Sequence, residues 1–523
     1  MKSVAQTLVE WLKSMNTSVI FGIPGVHTIE LYRALPSSGI RHVTPRHEAG
    51  AGFMADGYAR VSGRFGVALV ITGPGVTNIL TPMAQARADS VPMLVISGVN
   101  RRDTMGKGLG FLHELPDQRA LTRSLGPALH LEDPQSLPGL LAQAGRALTT
   151  GRGGPVHLQI PLDLMAAPAP GPAPLATPLT ALPDPAKARA RIRTARRPVI
   201  LAGGGVRRAE GELRALAEAM GAPVILTTNA RGLLHGHPLA VPASPSLEPV
   251  RALMRKADLL LVVGSELGPT DCDMYGIGDF PDLSGMIRID IDGAQLARHH
   301  AALTLQADAA AILPALAPPM PAPDGAARAA ECRAAAFAAL SAEYQAEVRM
   351  LNALRDAMPK SIMVGDSTQT IYAGNLYFDH DRPCGWFNAA TGYGALGYAP
   401  GAAVGAALAA PGERVICLMG DGGAMFSPGE MLTACEEKLD IAFVVFNNHG
   451  FGEIALAMHD AGAEVLGCTP RPPDFKALAK ACGLPFLRCD DAGLPAAVAG
   501  GKGPRIVEVE RKKVRDFFVL SKE

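Results

Sequence analysis

The residues from 415 to 450 constrain the fold more than any other stretch of this 523-residue chain. Val415-Ile416-Cys417-Leu418-Met419 is an uncharged, largely branched run and reads as a buried strand. Gly420-Asp421-Gly422-Gly423 follows, then a helical run, then Ile441-Ala442-Phe443-Val444-Val445-Phe446 ending in Asn447-Asn448. A strand, a helix and a strand in close succession predict two parallel neighbours whose carboxyl ends share one edge of a sheet, where ligands bind. That edge would hold the Asp421 carboxylate beside the Asn448 amide oxygen. The glycines free N–H groups at the positive end of a helix, which suits a diphosphate. The paired oxygens suit Mg²⁺, a hard cation that prefers near-octahedral oxygen coordination. A lone Gly-Asp-Gly is most often a turn; its pairing with Asn-Asn across one strand–helix–strand interval is what carries meaning.

The same alternation runs through the chain. In the first part, strands are expected over 18–21, 41–44, 67–71, 93–97 and 156–159. A Pro/Ala-rich linker follows over 166–185. A second unit has strands at 198–201, 223–227, 259–263 and 286–291, the first leading into Gly203-Gly204-Gly205. That triplet lacks the full dinucleotide spacing and reads as a tight strand–helix turn. A second spacer covers 315–327; a helix over 340–357 and strands at 361–364, 415–419, 442–446 and 505–508 come after it. The fold class is therefore α/β, with three doubly wound parallel sheets over residues 1–165, 186–314 and 335–523.

Composition excludes several classes. The 49 basic and 49 acidic residues balance, so no nucleic-acid surface is expected. The eight cysteines lack CxxC spacing and read as thiols of a reducing, cytoplasmic compartment. Residues 1–16 carry Glu10 and Lys13 in an amphipathic pattern, a helix rather than a signal peptide. The uncharged 383–412 stretch is Gly/Ala/Pro-rich, a buried loop and helix rather than a membrane span.

The Gly420–Asn448 motif resembles the signature of thiamine-diphosphate enzymes, and so does Arg46-His47-Glu48-Ala49-Gly50-Ala51-Gly52, where a strand gives way to a helix. The resemblance covers essentially the whole chain. It implies a pyrimidine-binding, a central and a diphosphate-binding domain, and a homodimer or homotetramer with active sites between subunits. It implies Mg²⁺ ligation by Asp421, Asn448 and the carbonyl of Gly450. Glu48 is implied to hydrogen-bond a ring nitrogen of the aminopyrimidine and favour its imino tautomer, so that the exocyclic nitrogen can take the thiazolium proton. Gly392-Tyr393-Gly394-Ala395-Leu396-Gly397 is similar to the segment between the two cofactor rings: Leu396 would wedge them into a bent form, and the Gly394 carbonyl would accept from the pyrimidine. Gly25, Thr72, Asn78, Ser367, Thr368, Gly420, Gly422, Gly423 and Phe451 complete the implied cofactor contacts. Ser367 and Thr368 serve equally well as a helix cap. In some members the central domain holds FAD. Gly264-Ser265-Glu266-Leu267 and Asp290-Ile291-Asp292 resemble that domain, and FAD stays a less favoured expectation.

For the substrate, the loops Gly25-Val26-His27-Thr28 and Phe111-Leu112-His113-Glu114-Leu115-Pro116-Asp117-Gln118 are the candidates, with Glu453 after the metal segment. His113 would handle protons on the bound intermediate and Glu114 would stabilise positive charge. Acetolactate synthases carry Gly-Gly in the first loop and Phe-Gln in the second, and pyruvate decarboxylases carry adjacent histidines; neither of these loops has any of them. The first-domain text is most similar to bacterial 5-guanidino-2-oxopentanoate decarboxylases of arginine catabolism. The expected reaction is nonoxidative decarboxylation of a 2-oxo acid, with an acetolactate-synthase-like carboligase as the alternative. A cationic substrate tail would need a carboxylate, for which Glu114, Asp117 and Glu453 are the candidates. A catalytically silent subunit is the third reading, opposed by the intact Glu48, Asp421 and Asn448.

Overall fold

The computed structural model describes all residues except 175–180, 275, 318–321, 515 and 517–523. The expected linker and spacer fall partly on 175–180 and 318–321, outside the described residues. Three six-stranded parallel sheets carry the fold. Counted along the chain, strands of the first and third sheets lie in the order 2-1-3-4-6-5, and those of the middle sheet in the order 3-2-1-4-5-6. Packing divides the chain into two compact units. One holds residues 1–178, 392–488 and 501–523; the other holds 179–391 and 489–500.

The central strands follow from their apolar runs. Gly66–Val70, Met93–Val99 and Pro155–Pro161 are buried at every position, as strands covered on both faces must be. Among the strands of the three large sheets, five were not expected: Ala128–His130, Ala240–Val241, Leu303–Gln306, Trp386–Asn388 and Phe486–Cys489. All five are sheet edges. An edge strand has one pairing neighbour, and these five are only two to four residues long, so none shows a long apolar run.

The spacers also differ from expectation. Pro168–Ala169, inside the expected linker, pairs antiparallel with Lys2–Ser3. Helix Gly325–Ala338 begins inside the second spacer. The N-terminal helix spans Val4–Ser14 and starts at a capping box, in which the Ser3 hydroxyl and the Gln6 side chain each accept the other residue's backbone N–H.

The middle sheet has the strand order of dinucleotide-binding folds, yet its glycines have a packing reason of their own. A Cβ on Gly203 would lie 2.3 Å from the Gly264 carbonyl oxygen, and one on Gly205 would lie 2.7 Å from the Gly264 Cα. The turn is small because another backbone crosses it.

Within the first unit, helix Glu48–Ser62 packs on helix Tyr398–Ala409. A Cβ on Gly57 would come within 2.0 Å of the Ala402 carbonyl oxygen, and one on Gly405 within 1.9 Å of the Met54 carbonyl oxygen. The backbones therefore touch. Gly405→Ala improves helix propensity but should lower stability by about 1–3 kcal/mol through overpacking. Urea unfolding measures this; an unchanged midpoint would contradict the close contact.

Candidate functional site

Asp421 and Asn448 stand where adjacent strands end. Val415–Gly420 pairs in parallel with Ile441–Asn447, with Gly420 opposite Phe446. Asp421 opens the short helix Asp421–Ala424. Its Oδ2 accepts the Gly450 N–H at 3.1 Å. Gly450 has φ +157°, and a Cβ there would lie 2.2 Å from the Cys468 carbonyl oxygen, so the loop can only be built with glycine. The Phe451 N–H donates to that same oxygen at 2.8 Å. The Phe451 ring closes over Gly422, where a Cβ would sit 2.4 Å from it. The Asn448 carbonyl is held by the Val514 N–H at 2.9 Å.

The donor set fits a hard cation. Among the described residues, the buried atoms Asp421 Oδ1 and Asn448 Oδ1 have no hydrogen-bond partner, and buried oxygens left so are costly unless something binds them. Burial raises the Asp421 carboxyl above the usual carboxylate range, against the pull of the Asn448, Asp421, Gly422 and Gly450 N–H groups. No group of three or more His, Cys, Asp or Glu gathers among the described residues. The acid-plus-amide pair is the donor set that suits Mg²⁺ rather than zinc.

Glu48 is the first residue of helix Glu48–Ser62 and is half-buried. Asn78, on helix Pro74–Ala88, donates from Nδ2 to Glu48 Oε2 at 3.0 Å. Nearby, Thr72, His27 and His113 converge. A Cβ on Gly98 would lie 2.8 Å from both the His27 carbonyl oxygen and Thr72 Oγ1. The His27 and His113 rings meet edge to face at 5.2 Å. His113 has φ +60°, and a Cβ on Gly73 would lie 2.6 Å from its carbonyl oxygen. Among the described residues, the buried Thr72 Oγ1 and His27 Nδ1 have no partner. Burial lowers the His27 pKa and the charge of His113 adds to this. Gly25 caps the turn Val26–Thr28, and Val26 is exposed.

The second loop is pinned by its own last residue, to which no separate role was assigned from sequence. Gln118, buried, accepts the Gly73 N–H at 2.8 Å and donates to the Gly98 carbonyl at 3.0 Å and Gln159 at 3.1 Å. Glu114 does something other than expected: its carboxylate accepts the N–H groups of Gly108, Gly110 and Phe111 at 2.8, 3.0 and 3.1 Å. Desolvation raises its pKa, but these donors outweigh it and leave the group low. It builds its own glycine-rich loop. Asp117 caps helix Gln118–Arg123 through the Ala120 N–H at 3.0 Å.

Gly394 has φ +78° and open space on its α-carbon; Leu396 beside it is half-buried. Gly423 continues the short helix from Asp421, and Glu453 lies half-buried in the first turn of Gly452–Asp460. Ser367 and Thr368 belong to the other compact unit, where Thr368 is the N-cap residue of helix Gln369–Leu376.

Glu430 was also missed, because nothing in its neighbours marks it. It is 1% exposed and accepts the Arg46 N–H at 3.1 Å, next to Glu48 in sequence. A Cβ on Gly50 would lie 2.0 Å from its Oε1. Burial pushes its pKa up to about 7, against the Thr433 hydroxyl, the Arg46 N–H and charge, and the His47 N–H. The folded protein thus binds this proton more tightly than the unfolded chain. Its stabilising contribution is complete below the ordinary value of 4.5 and is lost as pH rises to about 7. Over that window the native protein should lose stability relative to Glu430→Gln, by up to about 1.4 kcal/mol per pH unit. Urea midpoints of both proteins from pH 4.5 to 7 measure it; a native protein that holds or gains stability relative to Glu430→Gln as pH rises would refute the assignment.

Comparison with known proteins agrees with this geometry. Residues 2–121 match the N-terminal TPP binding domain of thiamine pyrophosphate enzymes, 186–316 the central domain and 366–509 the C-terminal TPP binding domain. A Pseudomonas aeruginosa protein named probable 2-ketoarginine decarboxylase AruI is 43% identical over 94% of this chain and 90% of its own length. The acetolactate synthase isozyme 1 large subunit of Escherichia coli is 32% identical over 86% of this chain and 82% of its own length. An acetolactate synthase of Mycobacterium bovis is 30% identical, over 93% and 83%. With matches to all three domain models, and Asp421 and Asn448 at adjacent strand ends, the chain belongs to the thiamine pyrophosphate enzymes.

Proposed function

We propose that the protein is a thiamine-diphosphate- and Mg²⁺-dependent 2-oxo-acid decarboxylase, acting on 5-guanidino-2-oxopentanoate (2-ketoarginine). The observation that carries this is the 43% identity, over nearly the full length of both chains, to a relative named for that decarboxylation. The bound cofactor supplies the electron sink for the carboxylate's departing electrons. The chain's residues do the rest. Asp421, Asn448 and the Gly450 carbonyl would hold Mg²⁺, and Gly420, Gly422 and Gly423 border the diphosphate. Asn78 fixes one oxygen of Glu48 at 3.0 Å and leaves Oε1 to hold a proton at the pyrimidine. His27 and His113, whose rings are in contact, would pass a proton at the substrate carbon. The domain limits 1–165, 186–314 and 335–523 and a cytoplasmic location are part of the same reading; the eight free thiols support the latter. Among the described residues no helix is long and apolar enough to cross a membrane.

For the guanidinium tail, the candidate acids are Glu114, Asp117 and Glu453. Glu114 accepts N–H groups of its own loop and Asp117 caps a helix; Glu453, half-buried in the first turn of the helix after the metal segment, is the acid this reading takes for the tail. The carboligase reading has support in the 30–32% identical acetolactate synthases, but those synthases' Gly-Gly and Phe-Gln pairs are absent here. Carbon dioxide and aldehyde release from a panel of 2-oxo acids tests the reading. The guanidino acid should react fastest, and acetolactate accumulation from pyruvate would replace decarboxylation with carboligation. Glu453→Gln should raise KM for the guanidino acid by roughly tenfold or more while sparing neutral 2-oxo acids, as expected for a charge-assisted pair. A proportional loss on all substrates would remove Glu453 from this role.

A second copy of the chain completes the site in this reading. Both half-sites present bare apolar side chains: Val26, Leu109 and Leu112 on the first-domain loops, and Phe426, Ile454 and Leu466 on the third. Clusters of this kind mark surfaces that another molecule covers. Glu48→Gln should leave folding and cofactor binding near normal and cut turnover severely, and sedimentation velocity should find a dimer or tetramer. A fully active monomer would overturn the shared site.

A further inference from the structure

We propose that Gln85 and Tyr398 are positioning residues for Leu396: a buried chain of polar contacts fixes the backbone on both sides of that side chain. This rests on Leu396 being the wedge between the cofactor rings. A wedge must resist displacement, yet the segment that carries it is built to yield. Gly394 has φ +78° and Gly397 φ +76°, and glycine has the least intrinsic stiffness of any residue.

The polar chain supplies what the glycines lack. On one side of Leu396, the Ala395 N–H donates to Gln85 Oε1 at 3.3 Å. Gln85 Nε2 in turn donates to Asp89 Oδ2 at 2.8 Å, and Arg60 reaches the same oxygen at 2.7 Å. Arg60 also pairs with Asp56 at 2.6 Å. On the other side of Leu396, the Tyr398 hydroxyl donates to Asp56 at 2.5 Å. Asp56, Arg60, Gln85, Asp89 and Tyr398 are all buried. The chain thus leaves the segment at Ala395, crosses the C-terminal ends of helices Glu48–Ser62 and Pro74–Ala88, and returns at Tyr398. Gly392 lies on the same helix end, where a Cβ would sit 2.8 Å from that of Ala88.

Core cohesion alone does not account for this arrangement. The glycine contacts already hold the two long helices together, and an apolar filling would do so without desolvating an arginine and two aspartates. What an apolar filling cannot do is accept the Ala395 N–H, which lies outside any helix or strand. The Gln85 oxygen accepts it, and Asp89, itself held by Arg60, accepts from the nitrogen of the same amide.

Gln85→Met removes the acceptor with little change in volume, and Tyr398→Phe removes only the hydroxyl. Hydrogen exchange of residues 392–398, measured on the cofactor-free protein, reads the backbone directly. The Ala395 amide should exchange about tenfold faster in Gln85→Met, the loss expected for one hydrogen bond. Near-UV circular dichroism of added thiamine diphosphate and Mg²⁺ reads the angle between the cofactor rings, and both variants should change it. In Tyr398→Phe, kcat should fall roughly tenfold with KM nearly unchanged, because orientation rather than binding is lost. If Gln85→Met does not fold, Tyr398→Phe carries the same measurements. Parental exchange over 392–398 together with a parental cofactor spectrum, with or without a lower melting temperature, would reduce the network to a structural one and overturn the proposal. The exchange measurement needs no substrate, so it stands whichever 2-oxo acid the protein decarboxylates.

Discussion

The contact between helices Glu48–Ser62 and Tyr398–Ala409 is the constraint on which the rest of the first unit depends. The two backbones approach as closely as they do because Gly57 and Gly405 carry no Cβ, which would come within 2.0 and 1.9 Å of carbonyl oxygens of the other helix. Each helix begins at a piece of the candidate site: Glu48 opens one, and Leu396 stands two residues before the other. A displaced helix pair would move both. The buried ion pairs Arg60–Asp56 and Arg60–Asp89 lie across the same region. Charges desolvated to this degree are tolerated only when well paired, and their geometry is correspondingly narrow.

The two groups of candidate residues are aimed by different means. Asp421 and Asn448 follow directly on paired strands, since the ends of two hydrogen-bonded parallel strands cannot drift apart. The first-domain residues are aimed by loops, and loops need internal support. Glu114 gives that support by collecting three N–H groups of the glycine-rich turn, and Gln118 by tying Gly73 to the sheet. The same carboxylate that looks from sequence like a partner for positive charge is, in the fold, a partner for its own backbone. Local geometry wins because those donors are within reach at no cost in translational entropy.

The strands legible in the sequence are nearly all interior ones. Val415–Gly420 and Ile441–Asn447 are flanked on both sides and announce themselves by unbroken apolar runs. Ala128–His130 and Phe486–Cys489, at sheet edges, have mixed burial and no such signature. The Gly203-Gly204-Gly205 turn was legible as a turn, but its cause, the passage of Gly264 across it, involves a residue some sixty positions away.

The sequence by itself determined the α/β class, the interior strands and the placing of Asp421 and Asn448 at neighbouring strand ends, because each follows from contacts within a short stretch of chain. It also marked Glu48 as the start of a helix. Tertiary structure alone decided what surrounds these groups. The Asn78 amide on Glu48, the Glu430 carboxylate beneath the Arg46 N–H, and the Gln85 oxygen on the Ala395 N–H join residues 30, 384 and 310 positions apart. Such pairings leave no local periodicity. They arise when sheets and helices, each specified nearby in the chain, pack and leave buried polar groups that must find partners wherever the fold supplies them.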